Sequence, residues 1–151
     1  MSLVDSIEQD LKTALLGRDI LRIETLRSMK NALLYAEVGQ GKERNSLSEA
    51  DQIEVLVKES KKRQESADLY RQAHELARAE KELAEKAVIE EYLPKRLSES
   101  EIEQLIDKVL KQPVVDNQRS IGQIISSVRQ SADGIVDGEA VARLVKEKLQ
   151  E

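Results

Sequence analysis

EEYLPKRLSESEIEQLI, from Glu90 to Ile106, is the stretch on which the fold turns. Pro94 lacks a backbone N–H and pushes Leu93 out of the helical region, so the helix carrying Ala84, Ala87, Val88 and Tyr92 must stop before it. A restart follows at once. Ser98 and Glu101 have capping-box spacing, and Leu97 and Ile102 hold the two positions of a hydrophobic staple, which together set the entry angle of a new helix. A proline stop and a capped restart this close together predict a boundary, with an N-terminal helical bundle over 1–94, a linker over 95–97 and a C-terminal domain over 98–151.

Downstream of the boundary, Ile102, Leu105, Ile106, Val109 and Leu110 recur at helical spacing. A loop from Gln112 to Gln118 contains Pro113, and Ile121, Ile124, Ile125 and Val128 form the next apolar stripe. Gly134 is the expected stop of that helix. Asp137 caps a last one, with Val136 and Val141 as a further staple ahead of Leu144, Val145 and Leu149. This end of the chain therefore reads as a compact three-helix unit.

Upstream, Ser2 and Asp5 cap a first helix with Leu3, Ile7, Leu11, Ala14 and Leu15 on one face, and Gly17 is expected to close it in a left-handed conformation. Asp19 caps a second helix, whose stripe runs Ile23, Leu26, Met29, Leu33 and Ala36 to a stop near Gly39 and Gly41. After a polar loop from Gly39 to Ser46, Ser48 with Asp51 caps a third helix. Its seam is Ile53, Leu56, Val57, Ser60, Gln64, Ala67 and Tyr70, with the polar members as expected weak points. Between Ala73 and Arg78 no glycine or proline marks a break, so one helix of about forty residues and two helices with a turn near His74 are both open at this level.

Composition narrows the chemistry. The 151 residues suit one ordinary domain or two small ones, and two prolines with abundant Leu, Ala, Glu and Lys favour an all-α chain. No cysteine is present and His74 is the single histidine, which removes disulfides, thiolate or histidine metal cages and cysteine nucleophiles, so no metal and no cofactor is expected. Aromatic residues make up 2%, with Tyr35, Tyr70 and Tyr92 the rings, and base-stacking platforms are therefore not expected. The net charge of −5 confines any nucleic-acid contact to a local basic face. The N-terminus lacks a basic segment followed by an apolar run, and no apolar run approaches membrane-spanning length, so a cytoplasmic protein without a membrane partner is expected.

Catalytic patterns are missing. Glu80, Glu82, Glu85, Glu90 and Glu91 alternate with Lys81 and Lys86 as exposed helix faces do. Ser48 and Ser98 are explained as caps. Gly39 to Lys42, GQGK, lacks the glycine spacing and preceding strand of a phosphate loop. His74 reads as a helix-end residue. The basic residues are more suggestive: Arg18, Arg22, Arg27 and Lys30 around the second helix, and Lys58, Lys61, Lys62 and Arg63 on the third, where the three lysines share a face and could neutralise phosphates.

Four blocks in this order, DLKTALLGRDILRIETLR (Asp10 to Arg27), KESKKRQES (Lys58 to Ser66), EEYLPKRLSESEIEQLI (Glu90 to Ile106) and the later IGQII and ADG segments, resemble the YqeY-like family. That family is similar to the tail domain of the B subunit of the tRNA-dependent amidotransferase, which converts misacylated glutamyl- or aspartyl-tRNA to the amide. The resemblance implies a four-helix region joined to a three-helix region, and hence a break near His74. It also implies a non-catalytic tRNA-interaction role, assisting amidotransferase or aminoacyl-tRNA synthetase complexes. The family label can carry carbon–nitrogen ligase activity with glutamine as amido donor, although the chain has neither an ATP site nor an amidase nucleophile.

Many relatives carry a basic segment before the final helix, where this chain reads SADGIVDGEAV and places Asp133, Ile135 and Glu139. Fewer phosphate contacts should lower affinity and its salt dependence together. The remaining basic candidates in the C-terminal unit are Arg119, Arg129, Arg143 and Lys146. The alternative reading is a helical protein-binding adaptor without RNA affinity.

Overall fold

The structure, a computed structural model, describes residues 2–43, 46–112, 120–132 and 134–150. Among them are seven α-helices: α1 (Leu3–Leu16), α2 (Ile20–Gly39), α3 (Glu49–Gln72), α4 (Leu76–Glu90), α5 (Glu99–Leu110), α6 (Ile121–Ser131) and α7 (Gly138–Leu149). Contacts divide the chain between Leu93 and Pro94, with α1 to α4 in one unit and α5 to α7 in the other. The loop expected around Pro113, Arg119 and Asp133 lie outside the described residues.

Helix starts follow local chemistry. The Ser2 hydroxyl accepts from Asp5 N–H at 3.1 Å while Ser2 N–H donates to the Asp5 carboxylate at 3.3 Å, a complete capping box. Ser120 and Gln123 form another. At Ser98 the box is half made: the hydroxyl accepts from Glu101 N–H, but it is also the group that meets the Glu101 carboxylate, at 3.2 Å. Asp19, Ser48 and Asp137 cap α2, α3 and α7 through side-chain oxygens.

Three helix ends share one device. Asp19 N–H reaches Ala14 O (3.0 Å), Lys42 N–H reaches Glu37 O (2.9 Å) and Glu75 N–H reaches Tyr70 O (2.8 Å), each spanning five residues across a left-handed residue in the Schellman pattern. The left-handed residues are Arg18 (φ 53°), Gly41 (φ 65°) and His74 (φ 60°). Gly17, expected in that role, is right-handed at φ −81°, because its N–H still bonds Thr13 O and the chain turns one residue later. The break near His74 is present, without a glycine.

In the first unit the core is aliphatic: Ile7, Leu26, Met29, Leu33, Leu47, Leu56, Val88 and Ile89. On α2 the expected Leu26, Met29 and Leu33 are buried, Ile23 and Ala36 only partly so, and Thr25 and Glu37 are buried beside them. The Thr25 hydroxyl donates to Leu21 O at 2.7 Å, which permits a polar residue there. In the second unit Ile102, Ile106, Val109, Ile124, Val128, Val141, Leu144 and Val145 form a separate core, with Leu97 and Val136 packed against it as staple partners.

The segment read as a linker is hydrogen-bonded. Leu97 N–H donates to Ile135 O (2.9 Å) and Ile135 N–H donates to Lys95 O (3.1 Å), a short parallel bridge about Arg96. Gly134 adjoins it. Expected to stop α6, it instead permits this approach, since a Cβ there would overlap the Lys95 carbonyl; α6 ends at Ser131, with Ala132 extended.

Candidate nucleic-acid interface

At 100° per residue, Gln52, Leu56, Ser60, Arg63 and Ala67 point one way on α3, and Glu54, Lys58, Lys61, Lys62 and Glu65 point the other. The three lysines do share an exposed face, but two glutamates sit among them, leaving a stripe with a surplus of one positive charge. Lys62 pairs with Glu59 at 3.2 Å and Lys58 stands 3.9 Å from Glu54, whereas Lys61 has no ion pair among the described residues. Exposed pairs of this kind contribute little to stability, yet each acid competes with phosphate for its lysine.

Arg63 behaves otherwise. Its guanidinium lies between α2, α3 and α4, 3.0 Å from Glu85, 3.5 Å from Glu82 and donating to the Ser28 hydroxyl at 2.9 Å. Burial pushes the Glu85 carboxyl above the usual range, opposed by Arg63 and reinforced by Glu82. The expected weak points of the α3 seam are bonded as well: Ser60 donates to Glu90 (3.4 Å) and Gln64 accepts from Lys86 (2.9 Å). A sequence pattern shows which residues are polar but not what faces them, so Arg63 read as surface charge.

On α2, Arg22 grips the Glu91 carboxylate with both terminal nitrogens, which raises the arginine's pKa further. Beside it the Tyr92 hydroxyl donates to Asp10, and burial followed by that carboxylate pushes the phenol up. Arg22 is thereby engaged in holding α2 to the end of α4. Arg18 is exposed at the α1–α2 turn, and Arg27 is exposed on the outer side of α2; neither has an ion pair among the described residues.

In the second unit Arg143 pairs with Glu99 and, at 3.5 Å, with Glu147. Arg129 reaches the start of α7, where a Cβ on Gly138 would overlap its guanidinium, and Lys146 is exposed on the last turns of α7. Ile135 is occupied by the bridge to Lys95 and Leu97, and Glu139 donates its backbone N–H to the Asp137 cap. The acidic surplus is uneven: residues 1–93 hold fifteen cations against nineteen acids, and residues 94–151 nine against ten. The second unit thus repels a polyanion less.

Of the ten basic residues singled out, the fold leaves Arg18, Arg27, Lys61, Arg129 and Lys146 exposed without ion pairs among the described residues. It engages Arg22, Lys58, Lys62 and Arg143, and Arg119 falls outside. Tyr35, one of the three rings in the sequence, adds a group that the basic residues do not supply. It is 75% exposed on the outer side of α2, and its four- and eight-residue offsets from Asn31 and Arg27 were the available signal.

Seven helices in two units, with charge-bearing outer faces and no described helix long and apolar enough to cross a membrane, define an all-α helical protein. The chain belongs to the YqeY-like family, whose model, described as Yqey-like protein, matches residues 4–149. No curated protein matches it.

Proposed function

We propose that this protein is a non-catalytic tRNA-interaction module, assisting tRNA-dependent amidation or aminoacylation as the similarity to the amidotransferase B-subunit tail suggests. The observation that supports the reading best is the set of exposed cations without acidic partners among the described residues, Arg18, Arg27 and Lys61 in the first unit and Arg129 and Lys146 in the second. Such residues can meet phosphates without first losing an ion pair. With a net charge of −5 opposing approach, affinity should be weak and steeply salt-dependent. Fluorescence anisotropy with labelled tRNA over a salt series tests this, and no binding at low salt rejects it.

The adaptor reading has its own support in exposed apolar side chains, Leu16 at 88%, Leu69 at 64% and Leu76 at 63% among them. It predicts partner capture that is insensitive to ribonuclease. The ligase label is tested separately: with glutamine, ATP and misacylated tRNA, protein freed of contaminating amidotransferase should yield no amidated tRNA.

A further inference from the structure

The outer side of α2 carries a feature that the basic-face reading does not use. Arg27, Asn31 and Tyr35 succeed one another at four-residue spacing, so they lie along one solvent-facing stripe about 12 Å long. All three line a shallow groove of about 450 Å³, which the small side chains of Ser28 and Ala32 also line. Tyr35 is the most exposed of the three rings in the chain, with Tyr70 and Tyr92 both half-buried.

Two acids border the same groove, Glu24 and Glu59. Each has a lysine nearby, Glu59 with Lys62 at 3.2 Å and Glu24 with Lys81 at 3.6 Å, the latter shared with Glu85 at 4.0 Å. Their charge is therefore answered in part, and Arg27 is left as the cation facing the groove without an ion pair among the described residues. An exposed aromatic face, an amide able both to donate and to accept, and an available guanidinium are the three groups that an unpaired nucleotide needs. The base stacks on the ring, its edge bonds the amide, and its phosphate meets the cation.

We infer that the Arg27–Asn31–Tyr35 stripe of α2 is a subsite for one unpaired nucleotide of a single-stranded RNA segment, with Tyr35 as the stacking platform. It rests on the tRNA-interaction reading above and adds to it a contact that salt does not screen. Against a wholly apolar protein ligand stand the charged groups that line the groove, Arg27, Glu24 and Glu59.

The test compares two fluorescein-labelled probes of equal length and charge, a short oligoadenylate and the corresponding abasic ribose-phosphate strand, by anisotropy over a salt series. The wild-type chain should prefer the oligoadenylate. Tyr35→Ala should weaken that probe at least about five-fold, the low end for loss of one base stack, with the salt slope unchanged and the abasic strand unaffected. Tyr35→Phe should retain the preference, and Arg27→Ala should lower the slope for both probes. Tyr35 is exposed, so its replacement leaves the core intact. RNA binding that is identical in wild type and Tyr35→Ala overturns the subsite while leaving the tRNA reading standing. Failure of the wild type to bind tRNA or either probe overturns both.

Discussion

Arg63 on α3 and Glu85 on α4 meet at 3.0 Å in a place where aliphatic side chains would be expected to close a helix pair. Between Ser60 and Glu85 the buried apolar residues of this hairpin are the two alanines, Ala67 and Ala79. Small residues let the helices approach closely, and ionic groups then hold their register. A buried pair of this kind adds little net stability over an apolar pair of similar volume, but removing one partner strands the other.

Arg63→Ala should accordingly destabilise the first unit by about 3 kcal/mol, because Glu82 would remain in the interface without its cation and Glu85 would keep only the more distant Lys81, at 4.0 Å. Replacing Lys61, two positions away and exposed, should change stability by less than about 0.5 kcal/mol. Urea unfolding of the two variants gives the comparison. Equal midpoints would mean that the network is not structural.

The raised pKa of Glu85 has a definite sign in the pH dependence. Its folded carboxyl binds a proton more readily than the unfolded one, so its contribution to stability grows as pH falls from the raised folded value toward the ordinary glutamate value of about 4.3. Wild type should therefore gain stability relative to Glu85→Gln as the solution is acidified through that window. Denaturant midpoints at several pH values measure the difference, and a wild-type midpoint that stays constant or falls relative to that of Glu85→Gln on acidification contradicts it.

His74 and Arg18 sit at positive φ, where an L side chain is strained by about 1–2 kcal/mol relative to glycine. Glycine gives back part of that through the entropy of the unfolded chain. His74→Gly and Arg18→Gly should each raise stability by about 0.5–1 kcal/mol, whereas His74→Val should lower it. Thermal melts resolve shifts of this size.

Gly134→Ala should destabilise the second unit by about 1–3 kcal/mol, since the new methyl group would overlap the Lys95 carbonyl and force apart the bridge between Lys95–Leu97 and Ile135. Gly39→Ala, with open space around its Cβ position, is the control and should be tolerated. Amide exchange at Leu97 and Ile135 should accelerate in the first variant alone.

For tRNA, Lys61→Ala alone should reproduce most of the loss in affinity and salt slope caused by replacing Lys58, Lys61 and Lys62 together, because the outer two are committed to Glu54 and Glu59. Arg129→Ala should reduce affinity more than Arg143→Ala, whose guanidinium is already held by Glu99 and Glu147. Equal effects across all of these would show that the ion pairs exchange freely for phosphate.

Caps, stops and stripes are legible in the order of residues alone. Ser2 with Asp5, Ser48 with Asp51, Pro94 and the staple pairs act within a few residues of chain, and their chemistry is complete at that range. The one-residue displacement of the left-handed turn from Gly17 to Arg18 shows the limit of such signals: glycine permits a conformation but does not compel it.

Ordered patterning by itself determined that this protein is all-α and where the capped helices α1, α2, α3, α5 and α7 begin, because each depends on backbone geometry and burial periodicity along one segment; the start of α4, which has no side-chain cap, was left open by it. Only the tertiary structure decided which charges are available. Lys61 and Arg63 lie two residues apart with the same sign, yet a rotation of about 200° about α3 puts one in solvent and the other against Glu85. Arg22 and Arg27 part in the same way, because Glu91, sixty-nine residues from Arg22, is brought to one and not to the other. The energy of a charge depends on what stands opposite it, and that neighbour is chosen by packing between segments that local sequence does not connect.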